Sequence, residues 1–240
     1  MNMAKATQTK EVAKKSEDFQ IDKLNLPSDV TKLFNLKTNM EGIVPRLPQI
    51  GIIHQGQMFK MADGSKVPSF VGIVLQKQFC NAWWKESFDQ SGGGTPPDCS
   101  SLDGVTPDFN SPDVQAEKCK VCDKNRFGSD GRGKLCKNMV RVHVVLDGEN
   151  TPHRLTLPPS NLREINDYLA HLTLKAIPYQ LVYTEFSLDP TQNKEGIEYS
   201  LIKFKPVGVI DSKELAEIIQ TMLQQWMPAM TGQSLVAEEV

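Results

Sequence analysis

Four of the five cysteines of this 240-residue chain lie between residues 99 and 136. Cys119 and Cys122 form the turn Cys-Lys-Val-Cys, and two thiolates at this spacing can bind one metal ion. Cys99 and Cys136, from the flanking segments, can complete a tetrahedral set of ligands. The sequence therefore predicts one zinc ion in a closed, structural site without an open position for catalysis.

Other states of these cysteines stay open. An iron–sulfur cluster uses the same ligands, and free or disulfide-bonded cysteines need no metal. The segment Met1 to Lys10 is polar and has no apolar signal core, and no run in the sequence approaches the ~18 apolar residues of a membrane span. We therefore expect a cytoplasmic protein without membrane contact, and a reducing cytoplasm favours metal binding over disulfides.

The identity of the fourth ligand stays open, because Cys99 lies 20 residues before Cys119. His143 is the alternative, although it stands in a strand-like run of alternating valines. The fifth cysteine, Cys80, follows the apolar run 70–79 and is expected to be a small buried apolar residue.

Basic residues are concentrated on the same stretch. The whole chain has 27 Lys and Arg against 29 Asp and Glu, which argues against a uniformly basic protein. Residues 117–141 contain eight basic and three acidic side chains, whereas 85–116 and 211–240 are acidic. Such a patch is compatible with nucleic-acid binding, and equally with a solvated surface loop.

Hydrophobic periodicity predicts the elements that must position this stretch. A helix is expected from Ser160 to about Leu174, and a second one from its cap at Ser212 to Pro228. Strand-like segments are expected at 50–54, 57–61, 67–79, 139–146, 154–157, 178–188 and 197–209.

This order of elements predicts a mostly β fold. We expect a five-stranded β-barrel of the oligonucleotide/oligosaccharide-binding (OB) type, with one helix between strands 3 and 4, a C-terminal helix and an inserted zinc-binding loop between strands 2 and 3. A generic α+β domain with the same element order is the alternative. The expected boundaries are a flexible polar tail at 1–27, an OB-like domain at 28–210 with the zinc-binding insertion at about 88–137, the C-terminal helix at 211–228, and a short acidic tail at 229–240.

Three sequence blocks, 96–104, 119–122 and 125–138, extend this prediction. With them the chain resembles, over about 45–210, the single-stranded-DNA-binding proteins of tailed phages and mobile elements, some of which carry a zinc subdomain inserted in an OB barrel. The T-even branch of that group has a histidine among its zinc ligands, whereas this chain offers four cysteines. The resemblance implies a role in phage or mobile-element replication or recombination, in the cytoplasm of a bacterial host.

A sequence-tolerant single-strand binder needs cations that follow the phosphates and flat rings on which bases stack. The ligand would be single-stranded DNA or RNA, and the acidic C-terminal tail could recruit replication or recombination proteins. The candidate cations are Arg126, Arg132, Lys134, Lys137 and Arg141, and the candidate rings are Trp83, Trp84, Phe88 and Phe127.

Two other functions remain compatible with the sequence. A zinc-containing protein–protein adaptor without enzymatic activity is the alternative, because a zinc loop can dock a protein as readily as a nucleic acid. A metal-dependent nuclease is less favoured, because Asp98, Asp103, Asp108 and Asp113 recur every five residues, which is no known ligand spacing. With no paired acidic motif and no Ser/His/Asp set, we predict no enzymatic activity and no catalytic residue.

Overall fold

Nine strands and two α-helices are formed by the residues that the computed structural model describes, which are 46–54, 56–86, 95–131, 133–192, 196 and 198–232. The predicted tail at 1–27 lies outside them. The helices are α1, Leu162–Leu174, and α2, Lys213–Thr231. The strands are β1 Gln49–Ile53, β2 Met58–Lys60, β3 Lys66–Val67, β4 Ser69–Trp83, β5 Cys99–Ser101, β6 Lys137–Leu146, β7 His153–Leu157, β8 Val182–Gln192 and β9 Glu198–Val209.

One curled sheet joins these strands into a half-barrel, in the order β3-β2-β1-β7-β6-β4-β8-β9, with β5 paired to β4 as a branch. Strand β4 is central because its 15 residues pair with β5, β6 and β8. Its neighbours are antiparallel, whereas β1 and β7 are parallel. The predicted mostly β architecture with a C-terminal helix is confirmed at this level.

Alternation along β6 decides which face of the sheet is the core. Val140, Val142 and Val144 lie on one face, as their spacing predicts, and two of them pair across the sheet with Leu157 and Leu155 of β7. Burial of each such side chain stabilises the fold by about 1.5–3 kcal/mol. Helix α1 covers this core with Ile165, Tyr168, Leu169 and Leu172.

Helix α1 begins two residues later than Ser160, the predicted N-cap. Asn161 occupies the cap position, and its buried Nδ2 donates to the backbone oxygen of Ile202 in β9 at 3.0 Å. A short 3-10 turn, Pro159–Asn161, leads into the helix. The Asn161 side chain therefore connects the start of α1 to a distant strand.

Helix α2 begins as predicted, with the Ser212 hydroxyl accepting from the Leu215 N–H at 3.3 Å. It continues to Thr231 instead of ending at Pro228. Proline removes one helical hydrogen bond, and the burial of Ala229 and Met230 offsets that loss. Neither helix of the described residues is long and apolar enough to cross a membrane.

The cysteine insertion, as we call residues 84–136, joins β4 to β6 and includes β5. The sequence predicts it between strands 2 and 3 of a five-stranded barrel, and this placement is wrong. Residues 49–67 form three short strands at one edge of the sheet, and 153–157 form a full strand that pairs with both β6 and β1. The insertion therefore interrupts the sheet at its central strand, and α1 lies between β7 and β8.

Candidate metal centre

The fold brings the four clustered cysteines to one cavity. This cavity has a volume of about 20 Å³, enough for one water-sized occupant. None of the four is in a disulfide, and Cys119 and Cys136 are buried. Its walls include Cys99, Cys119, Cys122, Cys136, Asn81, Trp83, Lys124 and Asn125.

Backbone hydrogen bonds hold the four cysteines on three segments of the insertion. Cys99 begins β5, opposite Trp83 in the ladder with β4. The Cys119 N–H donates to Val105 O at 2.9 Å, and the Cys136 N–H donates to Lys124 O at 2.8 Å. The Cys122 N–H closes its turn on Cys119 O at 3.4 Å. The convergence therefore depends on the extension of β4 to Trp83 and on these loop bonds.

The electrostatics of the cavity show that the thiols influence one another. Burial raises the pKa of Cys136 to about 12, and the neighbouring Cys119, Cys122 and Cys99 act in the same direction. Burial also raises the pKa of Cys99, against a hydrogen bond from the Gln115 backbone, and Cys122 and Cys119 add to the rise. A divalent cation would relieve this repulsion between thiolates, which is the condition under which zinc binds cysteine clusters.

The four thiols line one cavity, but they are not positioned as the ligands of a metal ion. Within the described part of the chain, no three His, Cys, Asp or Glu side chains stand in an arrangement that could hold a metal ion. Side-chain rotation of the cysteines toward the cavity centre would be part of any metal binding. The donor set fits zinc chemically, and the Sγ positions would have to tighten around the ion.

His143 does not belong to this cavity. It lies six residues into β6, roughly 20 Å along the strand from its start at the insertion. Burial, followed by the charges of Arg141 and Arg154, lowers the pKa of His143 to about 3. Cys99 therefore lines the cavity, whereas the alternative ligand His143 does not. Cys80 is fully buried, as predicted.

Two of the predicted phosphate-binding cations face the solvent. Arg126 is exposed and forms an ion pair with the exposed Asp123 at 2.9 Å. Lys137 contacts Asp130 at 3.3 Å, and both side chains are about half exposed. Such surface ion pairs are weak, so both cations are available to a polyanion.

Two other predicted cations face inward. The Lys134 ammonium group donates to the side-chain oxygens of Asn138 and Asn125, at 2.7 and 3.2 Å. Arg141 lies on the face of β6 opposite to the core valines. Even so, 0% of its surface is exposed, so other parts of the protein cover this face. Arg141 therefore offers no exposed surface to a phosphate here, and its role as a phosphate contact stays a prediction. Arg132 and Phe88 lie outside the described residues.

The tryptophans are not presented as stacking surfaces. Trp83 is 7% exposed, and the Lys124 ammonium group lies 5.1 Å from its ring centroid at the cysteine cavity. Trp84 is half-buried, and its Nε1 donates to Thr95 O at 2.9 Å. Pairing with β5 places the Trp83 ring in the wall of the cavity, and a role for it in base stacking stays a prediction.

Phe127 is 79% exposed, and the structure adds a ring that the sequence analysis missed. Phe109 is 89% exposed. It follows Asp108, whose N–H donates to Ser100 O in β5 at 2.8 Å and whose carboxylate accepts from the Asn110 N–H at 2.9 Å. An aromatic residue between Asp and Asn, both turn formers, is the signal that could have identified it.

The aspartates of the insertion fold its loops. The Asp103 carboxylate accepts from the backbone N–H groups of Val105 and Thr106, both at 2.7 Å. Asp98 accepts from the Lys85 N–H at 2.8 Å. These carboxylates, together with that of Asp108, are hydrogen-bonded to turns of the insertion.

Comparisons of the chain with protein families, with curated proteins and with solved structures find no match. Function therefore has to be inferred from the fold, the cysteine cavity and the surface of the insertion. That surface carries an apolar rim, the four large apolar residues of the insertion that are more than half exposed: Val105, Phe109, Val121 and Phe127.

Proposed function

We propose that this chain is a zinc-containing protein of OB type that binds single-stranded nucleic acid, with single-stranded DNA as its ligand, in phage or mobile-element replication or recombination. One observation carries the proposal. The insertion that gathers four cysteines also presents two exposed rings, Phe109 and Phe127, and an exposed cation, Arg126, which precedes Phe127 in the sequence. Rings for bases and cations for phosphates are the two requirements of sequence-tolerant strand binding.

The strand connectivity supports the OB assignment. Counted from β4 and leaving out the short β5, the order is β4, β6, β7, α1, β8, β9, with the helix between the third and fourth strands. The pairs β4–β6, β6–β7, β4–β8 and β8–β9 join these strands into one sheet. Among the described strands β1 lies beside β7, so the proposed barrel is an open one.

The position of the insertion supports a binding role. In OB folds the connection between the first and second strands is one of the loops that bind oligonucleotides. Under the proposed assignment that connection runs from β4 to β6, and the cysteine insertion occupies it. The apolar rim and the exposed cations are then on the loop where this fold places its ligand.

Zinc is the cofactor that the cavity suits best. A Cys-x-x-Cys pair with two further cysteines in the wall of one cavity is a ligand set typical of closed structural zinc sites. A structural ion would also explain how so long a connection with little regular structure keeps a defined shape. Its role would be to hold the rim and not to take part in chemistry.

A protein–protein adaptor is the second candidate, and the aliphatic part of the rim favours it. Val105 and Val121 are more than half exposed and offer no flat surface for a base. Clusters of exposed apolar side chains are characteristic of protein-binding sites. The adaptor and the strand binder therefore compete for the same surface.

Fluorescence anisotropy of a labelled oligo(dT) at low salt, with duplex DNA and single-stranded RNA as competitors, tests the proposal. Phe109→Ala and Phe127→Ala should each weaken binding by ~1–3 kcal/mol. Leu174→Ala is the matched control, because Leu174 is equally exposed on α1, outside the insertion. If the wild-type protein shifts no oligonucleotide at low salt, strand binding is wrong and the adaptor becomes the better proposal.

A further inference from the structure

Lys134 differs from the outward-facing cations of the insertion because its ammonium group points into the protein. Its Nζ donates to Asn138 Oδ1 at 2.7 Å and to Asn125 Oδ1 at 3.2 Å. Lys137, three residues further on, instead contacts Asp130 at the surface. Partial burial of an ammonium group costs free energy unless hydrogen bonds and nearby negative charge compensate it. The environment of Lys134 should therefore contain a compensating partner.

The asparagines connect Lys134 to the elements around the cysteine cavity. Asn138 of β6 donates through Nδ2 to Asn81 Oδ1 of β4 at 2.7 Å, and to Asn125 Oδ1 at 2.9 Å. Asn125 in turn donates through Nδ2 to the backbone oxygen of Cys119 at 2.8 Å. One hydrogen-bonded network therefore links the central strands of the sheet, Lys134 and the Cys119–Cys122 turn.

Lys134 lies two residues before Cys136, whose buried thiol lines the cysteine cavity. Four thiolates bound to a metal ion there would supply the negative charge that compensates the ammonium group. Lys124 is a second inward cation, lying over the ring of Trp83 in the wall of the same cavity. A divalent ion bound by four thiolates keeps a double negative charge, and two neighbouring ammonium groups would balance it.

We infer that Lys134 is a positioning residue of the cysteine cluster: its ammonium group balances the charge of the metal-bound thiolates and, through Asn125 and Asn138, holds the Cys119–Cys122 turn against the sheet. This inference rests on the zinc site of the proposed function. It assigns Lys134 to the metal centre and not to the phosphate-binding cations among which the sequence analysis places it.

The test compares Lys134→Met with Lys137→Met in the full-length protein. Zinc affinity is measured by competition with a chromophoric chelator, and strand binding by the salt dependence of oligo(dT) affinity. Lys134→Met should weaken zinc binding 10–100-fold, as loss of a residue that supports metal ligands does, and should leave the salt slope unchanged. Lys137→Met should keep zinc affinity and flatten the log–log salt slope by about 0.7.

A second variant keeps the inference falsifiable if Lys134→Met does not fold. Lys134→Gln keeps N–H donors on a side chain that is one bond shorter and removes the charge, so it should still weaken zinc binding at least tenfold, and Lys134→Arg should restore part of that loss. Unchanged zinc affinity in Lys134→Gln, or a flattened salt slope in Lys134→Met, would overturn the inference. A wild-type protein without zinc would overturn this inference together with the zinc site, whereas zinc binding without strand binding would overturn only the proposed function.

Discussion

Phe186 and Phe109 have opposite environments in this molecule. Phe186 of β8 is fully buried, stacked on Phe70 at a centroid distance of 4.6 Å, whereas Phe109 of the cysteine insertion is 89% exposed. The half-barrel sheet is stabilised by burial of its apolar face. The insertion packs Trp84 and Leu102 against a small cluster with Cys80 and Ala82, and many of its remaining contacts are turn hydrogen bonds, while its apolar rim is exposed. A region with so small an apolar cluster needs another source of stability, and here we propose a metal.

Removal of the metal should produce the largest difference in stability between the insertion and the sheet. Zinc binding provides ~10–16 kcal/mol in small structural sites, and this energy is folding energy of the loop. A strong chelator should therefore unfold residues 95–136, including the short β5, and leave the other strands of the sheet folded. Hydrogen exchange resolved by segment should show lost protection in the insertion and retained protection in β6 and β8.

Single substitutions provide the controls for this experiment. Cys122→Ser should purify without stoichiometric zinc, whereas Cys80→Ala, in a separate buried cluster, should retain it. If a Cys122/Cys136 double variant keeps its zinc, or if the chelated protein stays protected over 95–136, the insertion is held by something other than the metal.

The same substitution in the two regions should have very different effects. Phe186→Ala removes a buried ring that contacts Phe70 and Phe204, and it should lower the free energy of unfolding by about 3–5 kcal/mol. Phe109→Ala removes an exposed ring and should change it by less than about 0.5 kcal/mol. Urea unfolding followed by circular dichroism measures both. Equal effects would contradict the distinction between a core-stabilised sheet and a loop-stabilised insertion.

Acid should affect the sheet through His143. Burial and the charges of Arg141 and Arg154 lower its pKa to about 3 in the folded protein, against 6.5 for an ordinary histidine. The unfolded chain therefore takes up a proton that the folded chain excludes, so stability falls as the pH drops from about 6.5 toward about 3.

Urea midpoints at several pH values across this window test the role of His143. His143→Gln should flatten the pH dependence relative to the wild-type protein, whereas the same substitution at the exposed His171 of α1 should not. An identical pH dependence in wild type and His143→Gln would show that this histidine is not the responsible group.

The smallest expected effect is a change in the salt dependence of strand binding when exposed cations at the insertion are replaced. Arg126 of the insertion and Lys137 at the start of β6 are exposed candidate phosphate contacts, so replacing both with Ala should flatten the log–log salt slope of oligo(dT) binding by about 1.4, or 0.7 for each contact. Replacing Lys203 and Lys205 of β9, also paired with carboxylates, should leave the slope unchanged. A slope that responds to the β9 pair instead would move the strand-binding surface from the insertion to the sheet.

Local sequence patterns correctly predict several parts of the molecule. The valines of β6 alternate into the core, the Ser212 hydroxyl caps α2, and Cys80 is buried. Each of these depends on a period or a cap that acts within a few residues, which a single sequence displays directly. The clustering of the other four cysteines is visible in the same way.

Orientation of the long side chains could not be predicted in this way. Arg141 and Lys134 have the composition of a phosphate-binding patch, but one is covered on β6 and the other is held by two asparagines. Alternation along a strand predicts which face a residue occupies. It carries no information about what covers that face, because the covering segments come from distant parts of the chain.

The sequence by itself determined the four clustered cysteines and the mostly β character of the chain, since these depend on residue types and short periods. Only the tertiary structure decided that Cys99 and not His143 joins the other three thiols, and that Trp83 forms a wall of their cavity. Both outcomes follow from pairing between segments far apart in sequence, such as Asn81 and Asn138, which are 57 residues apart. Spacing along a chain limits which residues can meet, and the register of the sheet selects the ones that do.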